Sequence, residues 1–435
     1  MIPRYSLPQM ADLWAEEKKY RTWTLVEVLA AEAQARLGVI SESDLAAIRQ
    51  GTPPVPDEVA RLEATRDHEV LAFLAAYTAT IPGDAGRWVH HGMTSYDLVD
   101  TALGYTLAQA CDLILEAAGR LRDSLGRRAL EHWDTACVAR THGIHAEPTT
   151  FGLKLAVHAF AVQRCLKRLR SARAAVAVGT VSGAVGTYAQ IDPRVEEHVC
   201  ARLGLGVEPV PTQVVARDRH AELLGALALL GAVVEHLALE MRLLQQTEIR
   251  EVEERRPAEY QGSSAMPHKR NPTLCERLCG IARLLRANAA AGYEDIALWH
   301  ERDMAHSAVE RVVLPDSTAL AHYQTTMATE LVDGLRTNPE KMRENLNLTN
   351  GLVYSSAMLF DLVEGGADRE KAYRLIQAAA ADSSKSGETL VATLSAQGVE
   401  VNPEKYRPER FLHSRGHIHD RLMTMLKESA ENVGI

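Results

Sequence analysis

The stretch DRHAELLGALALLGAVVEHLALEMRLL, residues 218–244, carries the clearest structural pattern in this chain of 435 residues. Its apolar side chains recur at alternating steps of four and three, the period of one face of an α-helix. These positions are Leu223, Leu227, Leu230, Val234, Leu237, Met241 and Leu244. The other faces also carry Leu224, Leu229 and Val233, so the helix is predicted to be buried on most sides. The pattern indicates a helix in the middle of a bundle, and one that subunits could share.

The rest of the sequence also favours helices over strands. Aromatic residues make up only 5% of the chain, while alanine and leucine abound. A long helix with coiled-coil-like spacing is predicted to start at Asp97. Further helical patterns cover residues 10–37, 58–77, 151–178, 272–291 and 317–335, and no strand pattern exceeds a few residues. The sequence therefore predicts an all-α fold.

Composition and charge exclude several classes of protein. The formal net charge is −9 with no basic tract to offset it, which argues against nucleic acid as a partner. The first residues carry no apolar signal region, and the longest apolar run, residues 223–234, falls short of a membrane span. The six cysteines include no C-x-x-C pair and no zinc spacing, so reduced thiols are expected. We therefore expect a soluble, cytoplasmic protein with no membrane or nucleic-acid partner.

A polar loop, QGSSAMPHKRNP at residues 261–272, separates two helical segments. Gly262 and Pro267 break regular structure, and Pro272 disfavours a helical conformation at Asn271. The loop carries two hydroxyls, an ammonium, a guanidinium, an imidazole and a carboxamide. It is not a Walker-type phosphate loop, because that loop needs a glycine directly before its lysine and a histidine stands there instead. The residues alone leave two interpretations open, a basic surface connector and a functional site.

Residues 262–272 resemble the signature loop of the fumarase/aspartase superfamily of lyases, whose pattern is G-S-S-x-M-P-x-K-x-N. The form with histidine before the lysine and Arg-Asn-Pro after it is similar to adenylosuccinate lyases and to their relatives, the 3-carboxymuconate cycloisomerases. Four further blocks extend the resemblance over essentially the whole chain: Arg4-Tyr5, residues 141–150 (THGIHAEPTT), residues 212–220 (TQVVARDRH) and residues 299–311. The cycloisomerases lack the Thr-His-Gly-x-His block, so His142 favours the adenylosuccinate lyase branch.

The resemblance implies a three-domain, all-α, fumarase/aspartase-like fold with a central bundle of long helices. We expect an N-terminal helical domain at residues 1–93, the bundle with its signature loop at 94–345, and a small helical domain at 346–435. The matching blocks lie hundreds of residues apart on long helices, which one bundle cannot readily bring to one point. The family's homotetramer, with each site built from three subunits, is therefore expected here.

The implied activity is elimination of fumarate from adenylosuccinate, giving AMP, and from SAICAR, giving AICAR, in purine nucleotide biosynthesis. Two alternatives stay open. One is another lyase of the superfamily, acting on argininosuccinate or a carboxymuconate, and the other is a non-catalytic, crystallin-like relative. The non-catalytic alternative gives no reason for Ser263, His142 and Lys269 to occur together.

Such an elimination needs a base for the Cβ proton, a group that stabilises the carbanion and an acid for the leaving nitrogen. By resemblance Ser263 is the base and His142 the acid, with Glu276 as the partner that favours the imidazolium of His142. Lys269 would place a point cation beside the dianionic aci-carboxylate. A zinc site at His142, His145 and Glu147 is disfavoured, because the H-x-x-H spacing is not that of a helical zinc pair. No metal and no cofactor are expected.

The substrate contacts implied by the resemblance are spread over the chain. They are Arg4, Tyr5, Asp67, His68, Glu69, His90, Thr94, Ser95, Gln213, Ser264, Lys269, Asn271, Arg302, Ser307 and Arg311. The arginines among them, with Ser307, are expected to bind the phosphate, and Gln213 a succinyl carboxylate. The family usually has His-Asp where this chain has His68-Glu69, so one additional methylene is expected to alter local contacts. Thr94 and Asp97 also match a capping box at a helix N-terminus, which is itself an anion site.

Overall fold

The computed structural model describes residues 2–256, 259 and 261–432. Helices make up 67% of it and strands 5%, which confirms the all-α prediction. The helices are α1 (Pro8–Leu13), α2 (Glu16–Arg36), α3 (Glu42–Ile48), α4 (Pro56–Arg66), α5 (Glu69–Thr78), α6 (Ser95–Glu131), α7 (Phe151–Val176), α8 (Pro193–Leu203), α9 (Asp218–Leu244), α10 (Thr273–Glu294), α11 (Ala305–Gly334), α12 (Pro339–Asn347), α13 (Ser355–Glu364), α14 (Arg369–Ser386), α15 (Leu390–Ala396), α16 (Pro408–Leu412) and α17 (Gly416–Asn432).

Short strands accompany the helices in three pairs across the described residues. Strands β1 (Ala136–Thr141) and β2 (Ile144–Thr150) form an antiparallel hairpin. Strand β3 (Val178–Gly179) pairs in parallel with β4 (Gly206–Val207), and β5 (Val252–Glu253) pairs antiparallel with β6 (Arg336–Thr337). The β1–β2 hairpin departs from the expectation that no strand exceeds a few residues. Its two-residue turn needs positive φ at both positions, and His142 and Gly143 supply φ values of +55° and +79°.

The chain divides into two compact units. The first unit contains Met1–Ala118, Arg164–Val234 and Cys279–Thr326, and the second unit contains Gly119–Gln163, Glu235–Leu278 and Met327–Ile435. The core of the first unit includes Trp23, Phe73, Tyr77, Leu98 and Val199. The core of the second includes Val138, Leu346, Met358, Ile376 and Leu390. The division into three domains stays a prediction.

Helix α9 realises the pattern that the sequence shows most clearly. All seven positions of its four-and-three repeat are buried, from Leu223 to Leu244. Within one chain, however, α9 is not buried on every face, because Leu229, Leu239 and Leu243 are 44–50% exposed. One face of α9 therefore packs inside the chain, and another face leaves apolar side chains exposed.

The helix expected over residues 58–77 is two helices in the structure. Helix α4 ends where Asp67 takes a left-handed conformation with φ +51°, which aspartate tolerates better than most residues. His68 then caps α5, its ring Nδ1 accepting a hydrogen bond from the Leu71 amide at 3.3 Å. The break places Asp67 and His68 in a connection between helices rather than on a helical face.

Helices α6 and α9 are long and apolar enough to cross a membrane by length and composition alone. About half of each apolar window is buried inside the fold, 56% for α6 and 50% for α9. The core helix of a soluble protein has the same length and composition, so these two helices are weak support for a membrane span. The six cysteines, all among the described residues, are buried and form no disulfide.

Candidate functional site

The predicted site residues fall into two sets, one in each compact unit. The first unit holds Arg4, Tyr5, Asp67, His68, Glu69, His90, Thr94, Ser95, Gln213, Arg302, Ser307 and Arg311. The second unit holds His142, Ser263, Ser264, Lys269, Asn271 and Glu276. Their roles in binding and catalysis stay predictions, and the geometry of each set is described separately.

A cavity of about 310 Å³ in the first unit lies against three of the predicted contacts, Glu69, Ser307 and Arg311. Its walls come from α1, α2, α5, α6 and α11. Apolar side chains, including Trp14, Trp23, Leu103 and Leu314, line much of it, and Lys19 lies near the charged residues. A concave, largely apolar space with a few converging charges is the usual form of a small-molecule site.

Glu69 joins two cations at this cavity. Its Oε1 accepts hydrogen bonds from Lys19 Nζ at 2.5 Å and from the Tyr20 hydroxyl at 3.3 Å. Its Oε2 lies 2.7 Å from Arg311 Nη2. Burial alone would raise the pKa of the Glu69 carboxyl, but Lys19 and Arg311 outweigh burial and hold that pKa below its ordinary value. Glu69 is therefore ionised, and each of its carboxylate oxygens is paired with a cation. No pattern in the sequence indicated that Lys19 pairs with Glu69.

Arg302 and Gln213, both predicted contacts, meet in the first unit. Arg302 Nη1 donates to Gln213 Oε1 at 2.9 Å, and the Gln213 amide donates in turn to the Ala184 carbonyl at 2.9 Å. The Arg302 guanidinium lies 3.5 Å from the centre of the Tyr96 ring, within cation–π range. Arg302 Nε also donates to His306 Nε2 at 3.4 Å. These contacts fix the direction of the guanidinium before any ligand arrives.

A network of buried charged side chains adjoins Arg302 through His306. Arg217 contacts Asp100 at 2.6 and 2.9 Å and Glu310 at 3.1 Å, and Glu310 also contacts His220 at 2.9 Å and His306 at 3.1 Å. Burial opposes ionisation of Glu310, but His220, His306 and Arg217 hold its pKa far below the ordinary range. His306 Nδ1 lies between Glu310 Oε2 at 3.1 Å and Arg217 Nη2 at 3.3 Å, while its Nε2 accepts from Arg302. The sequence blocks contain Arg217, His220, His306 and Glu310 but not Asp100, and no pattern in them revealed the network.

His90 is held by a buried carboxylate. Its backbone amide donates to Glu27 Oε2 at 2.9 Å, and its ring Nδ1 lies 2.7 Å from Glu27 Oε1. The Glu27 side chain has no exposed surface. Burial lowers the pKa of the His90 imidazole, but Glu27 outweighs burial and raises that pKa above its ordinary value. His90 is thus biased toward the imidazolium, the form that binds an anion.

Asp97 fixes the start of α6, where Thr94 and Ser95 lie. Its Oδ2 accepts from the Thr94 amide at 2.8 Å and from the Gly183 amide at 3.1 Å, and its Oδ1 from the Ser182 amide at 2.9 Å. The bond to the Thr94 amide is the reciprocal half of the expected capping box. Burial raises the pKa of Asp97 to about 6, against the lowering effect of these three amides.

The remaining contacts of the first unit lie nearer its surface. Arg4, Asp67 and His68 are exposed, and Tyr5 is half-buried with its ring centre 5.6 Å from that of Tyr323. These side chains lie where a ligand or another chain can reach them.

In the second unit His142 lies at the tip of the β1–β2 hairpin and is exposed. The hairpin is anchored by Arg140, whose Nη2 lies 2.6 Å from Oε1 of the buried Glu251. Within the described part of the chain, no side-chain hydrogen bond joins His142 to Glu276, which is exposed in the first turn of α10. The pairing of these two residues stays a prediction.

The signature loop is non-helical, as predicted, and its ends are tied together. The Asn271 side-chain amide donates to the Gly262 carbonyl at 2.9 Å. Ser263 Oγ accepts hydrogen bonds from the amides of Met266 at 3.0 Å and Ala265 at 3.3 Å. Donors aimed at a hydroxyl oxygen favour its deprotonated form. Ser264 and Lys269 are exposed on the same loop.

The segment before α10 supports that loop. Glu254, which is buried, accepts hydrogen bonds from the Cys275 amide at 2.7 Å and the Leu274 amide at 3.3 Å, and so caps the helix. Arg256 reaches the carbonyl of Asn271 and the Thr273 hydroxyl. No group of three or more His, Cys, Asp or Glu among the described residues is arranged to hold a metal ion.

The chain is similar to known proteins over most of its length. A family model described as a lyase matches residues 4–285. Adenylosuccinate lyase of Bacillus subtilis (strain 168) is 45% identical over 377 residues, 87% of either chain. Adenylosuccinate lyase of Synechocystis sp. (strain ATCC 27184 / PCC 6803 / Kazusa) is 45% identical over 433 residues, 97% of this chain and 100% of the relative. Among solved structures, 3-carboxy-cis,cis-muconate lactonizing enzyme from Pseudomonas putida superposes with a TM-score of 0.90 at 28% identity and covers 98% of both chains.

Proposed function

Since this chain belongs to the adenylosuccinate lyase family of lyases, we propose that it eliminates fumarate from adenylosuccinate and SAICAR, giving AMP and AICAR. The similarity to two adenylosuccinate lyases over most of the chain supports this function most strongly. This reaction belongs to purine nucleotide biosynthesis.

The reaction follows general acid–base chemistry. Ser263 Oγ takes the proton from Cβ of the succinyl group, the Cα–N bond breaks, and His142 gives a proton to the leaving nitrogen. Lys269 and Asn271 stabilise the carboxylate whose charge grows in the aci-carboxylate intermediate. The amides of Met266 and Ala265 that point at Ser263 Oγ support its role as base, because they stabilise negative charge on that oxygen. Glu276 is the proposed partner of His142.

The substrate phosphate binds to cations of the first unit. Arg302, Arg311 and Arg4, with Ser307, offer charge-assisted hydrogen bonds in a protein whose net charge is −9. Local cations must therefore attract the anion against the overall charge. The fixed direction of Arg302 over Tyr96 supports this assignment, because a preorganised donor loses less side-chain entropy on binding.

The enzyme is a cytoplasmic homotetramer whose sites are shared between subunits. Large apolar side chains are exposed on its long helices: Val157 on α7, Leu229, Leu239 and Leu243 on α9, Leu284 on α10 and Val312 on α11. Exposed apolar surface of this kind marks a protein interface. His142, at an exposed hairpin tip, is accessible to a neighbouring subunit.

The assay is incubation of the purified protein with adenylosuccinate and, separately, with SAICAR. Equal amounts of fumarate and of AMP or AICAR are expected, measured by chromatography. No fumarate release from either compound would refute the proposed function.

A second candidate follows from the close superposition on a muconate lactonizing enzyme. In that case the protein would convert a 3-carboxymuconate and would leave adenylosuccinate intact. Parallel assays of both compounds separate the two candidates, and we expect turnover of adenylosuccinate only.

A further inference from the structure

Lys19 lies at the cavity of the first unit but belongs to none of the expected substrate contacts. Its ammonium is 2.5 Å from Glu69 Oε1, closer than Arg311 is to the other oxygen of the same carboxylate at 2.7 Å. The three residues come from α2, α5 and α11. They form a chain of charges, cation–anion–cation, with a net charge of about +1.

Lys19 is held toward Glu69 rather than toward solvent. Its ammonium lies 4.7 Å from the centre of the Tyr20 ring and 5.7 Å from that of Trp23, both within cation–π range. The carboxylate of Glu16, one helical turn away, is farther at 3.8 Å. These contacts hold the ammonium of Lys19 beside Glu69.

Glu69 is the carboxylate that competes with a ligand for Arg311. Two other glutamates line this cavity. Glu310 is already engaged by Arg217, His220 and His306, and Glu16 lies 3.8 Å from Lys19. If Arg311 were the only cation paired with the ionised Glu69, Glu69 would neutralise its charge. Because Lys19 also pairs with Glu69, part of the Arg311 charge stays available to a bound anion.

We propose that Lys19 is a positioning residue of the anion site: by pairing with Glu69 it keeps Arg311 competent to bind the substrate phosphate. This inference rests on the proposed function, in which Arg311 contacts that phosphate. Lys19 itself does not touch the substrate. Lys19 therefore affects the binding only of ligands that carry the phosphate.

The test compares inhibition by AMP and by adenosine in Lys19→Met and in the wild type. Losing the lysine leaves Glu69 paired with Arg311 alone. The inhibition constant of AMP should then rise about tenfold, the size of one lost charge-assisted contact. Inhibition by adenosine and kcat should stay unchanged. A merely structural role would shift the constants of AMP and adenosine together, which would overturn the proposal.

A double variant distinguishes positioning from direct contact. In Lys19→Met/Glu69→Gln the carboxylate that Lys19 neutralises is gone, so the preference for AMP over adenosine should return toward the wild-type ratio. If Lys19 contacted the phosphate directly, the double variant would be as weak as Lys19→Met, and the positioning role would be wrong. A contact of Glu69 with the nucleoside would affect both inhibitors and leave their ratio intact.

Two controls complete the design. Lys154→Met removes a comparable lysine–glutamate pair, Lys154 with Glu240 at 2.9 Å in the second unit, and should leave the AMP preference unchanged. Lys19→Arg keeps the charge and should keep the preference. If Lys19→Met does not fold, Lys19→Gln serves in its place, judged by the same ratio.

The inference and the proposed function fail in different ways. If adenosine inhibits the wild type as well as AMP does, the phosphate pocket itself is absent. If AMP inhibits better than adenosine by the same ratio in the wild type and in Lys19→Met, the phosphate pocket is present and the role of Lys19 is refuted.

Discussion

At the scale of single residues, the proposed mechanism requires a serine to act as a base. Ser263 is a weak base by itself, and two backbone amides of its own loop point at its oxygen. The glycine and prolines of residues 261–272 predict a non-helical loop, and the loop is non-helical. The direction of its amides could not be predicted, because it depends on the φ and ψ angles of each loop residue.

Removing the acid or the base should abolish most turnover. His142→Ala and Ser263→Ala are each expected to lower kcat by about 10²–10⁴-fold, the usual contribution of a general acid or base, with KM little changed. Steady-state kinetics of fumarate release measure both constants. Near-normal turnover in either variant would reject the role assigned to that residue.

The Glu27–His90 pair should make stability depend on pH. Since the folded pKa of His90 is raised above the unfolded value, its contribution is fully present below the unfolded pKa, about 6.5, and is lost as pH rises through the folded pKa. Glu27→Gln should lower the His90 pKa and cost about 1.5–3 kcal/mol of unfolding free energy on the acidic side of this range. An NMR titration of His90 and urea unfolding at several pH values measure the two effects. An unchanged His90 pKa in the variant would contradict this explanation.

At the scale of helices and strands, the regular patterns were predictable and the interruptions were not. The four-and-three repeat of α9 has its seven predicted positions buried. The break between α4 and α5 was missed, because a left-handed Asp67 leaves the apolar period on either side almost undisturbed. The β1–β2 hairpin was missed because the alternation of its side chains is weak, although Gly143 after a polar residue is a turn signal.

Contacts between helices that are far apart in the sequence could not be predicted from the sequence. The Lys19–Glu69–Arg311 chain joins α2, α5 and α11, and no spacing along the chain relates these positions. The resemblance named Glu69 and Arg311 as substrate contacts. Only the fold shows that they contact each other and that Lys19 shares Glu69.

The packing of α6 against β3 makes Gly104 a sensitive position. A Cβ at Gly104 would lie 2.2 Å from the backbone oxygen of Val178, so the helix would have to move. Gly104→Ala should lower the free energy of unfolding by about 1–3 kcal/mol, as overpacking usually does. Urea or thermal unfolding measures this change.

Gly119 on the same helix provides the matched control. A Cβ there has no neighbour within 4 Å, so Gly119→Ala should be neutral or gain up to about 1 kcal/mol from helix propensity. Equal effects of the two substitutions would mean that the approach of α6 to Val178 does not limit its packing.

At the scale of the whole molecule, the proposed tetramer predicts that inactive variants complement each other. When His142→Ala and Ser263→Ala proteins exchange subunits, some sites of the hybrids receive an intact histidine from one chain and an intact serine from another. Part of the wild-type activity should return after mixing, measured against each variant alone. Proven subunit exchange without any recovery would mean that both residues serve a site from the same chain.

The proposed function requires that the enzyme cleaves a succinylated nucleotide held by its phosphate. The most direct measurement compares kcat/KM for adenylosuccinate with that for the same compound without its phosphate, following fumarate in both. Two or more charge-assisted contacts to phosphate predict a preference of at least about 100-fold for adenylosuccinate, and a reduced preference in Arg311→Ala. Equal use of both compounds, or no fumarate from adenylosuccinate, would contradict the proposed function.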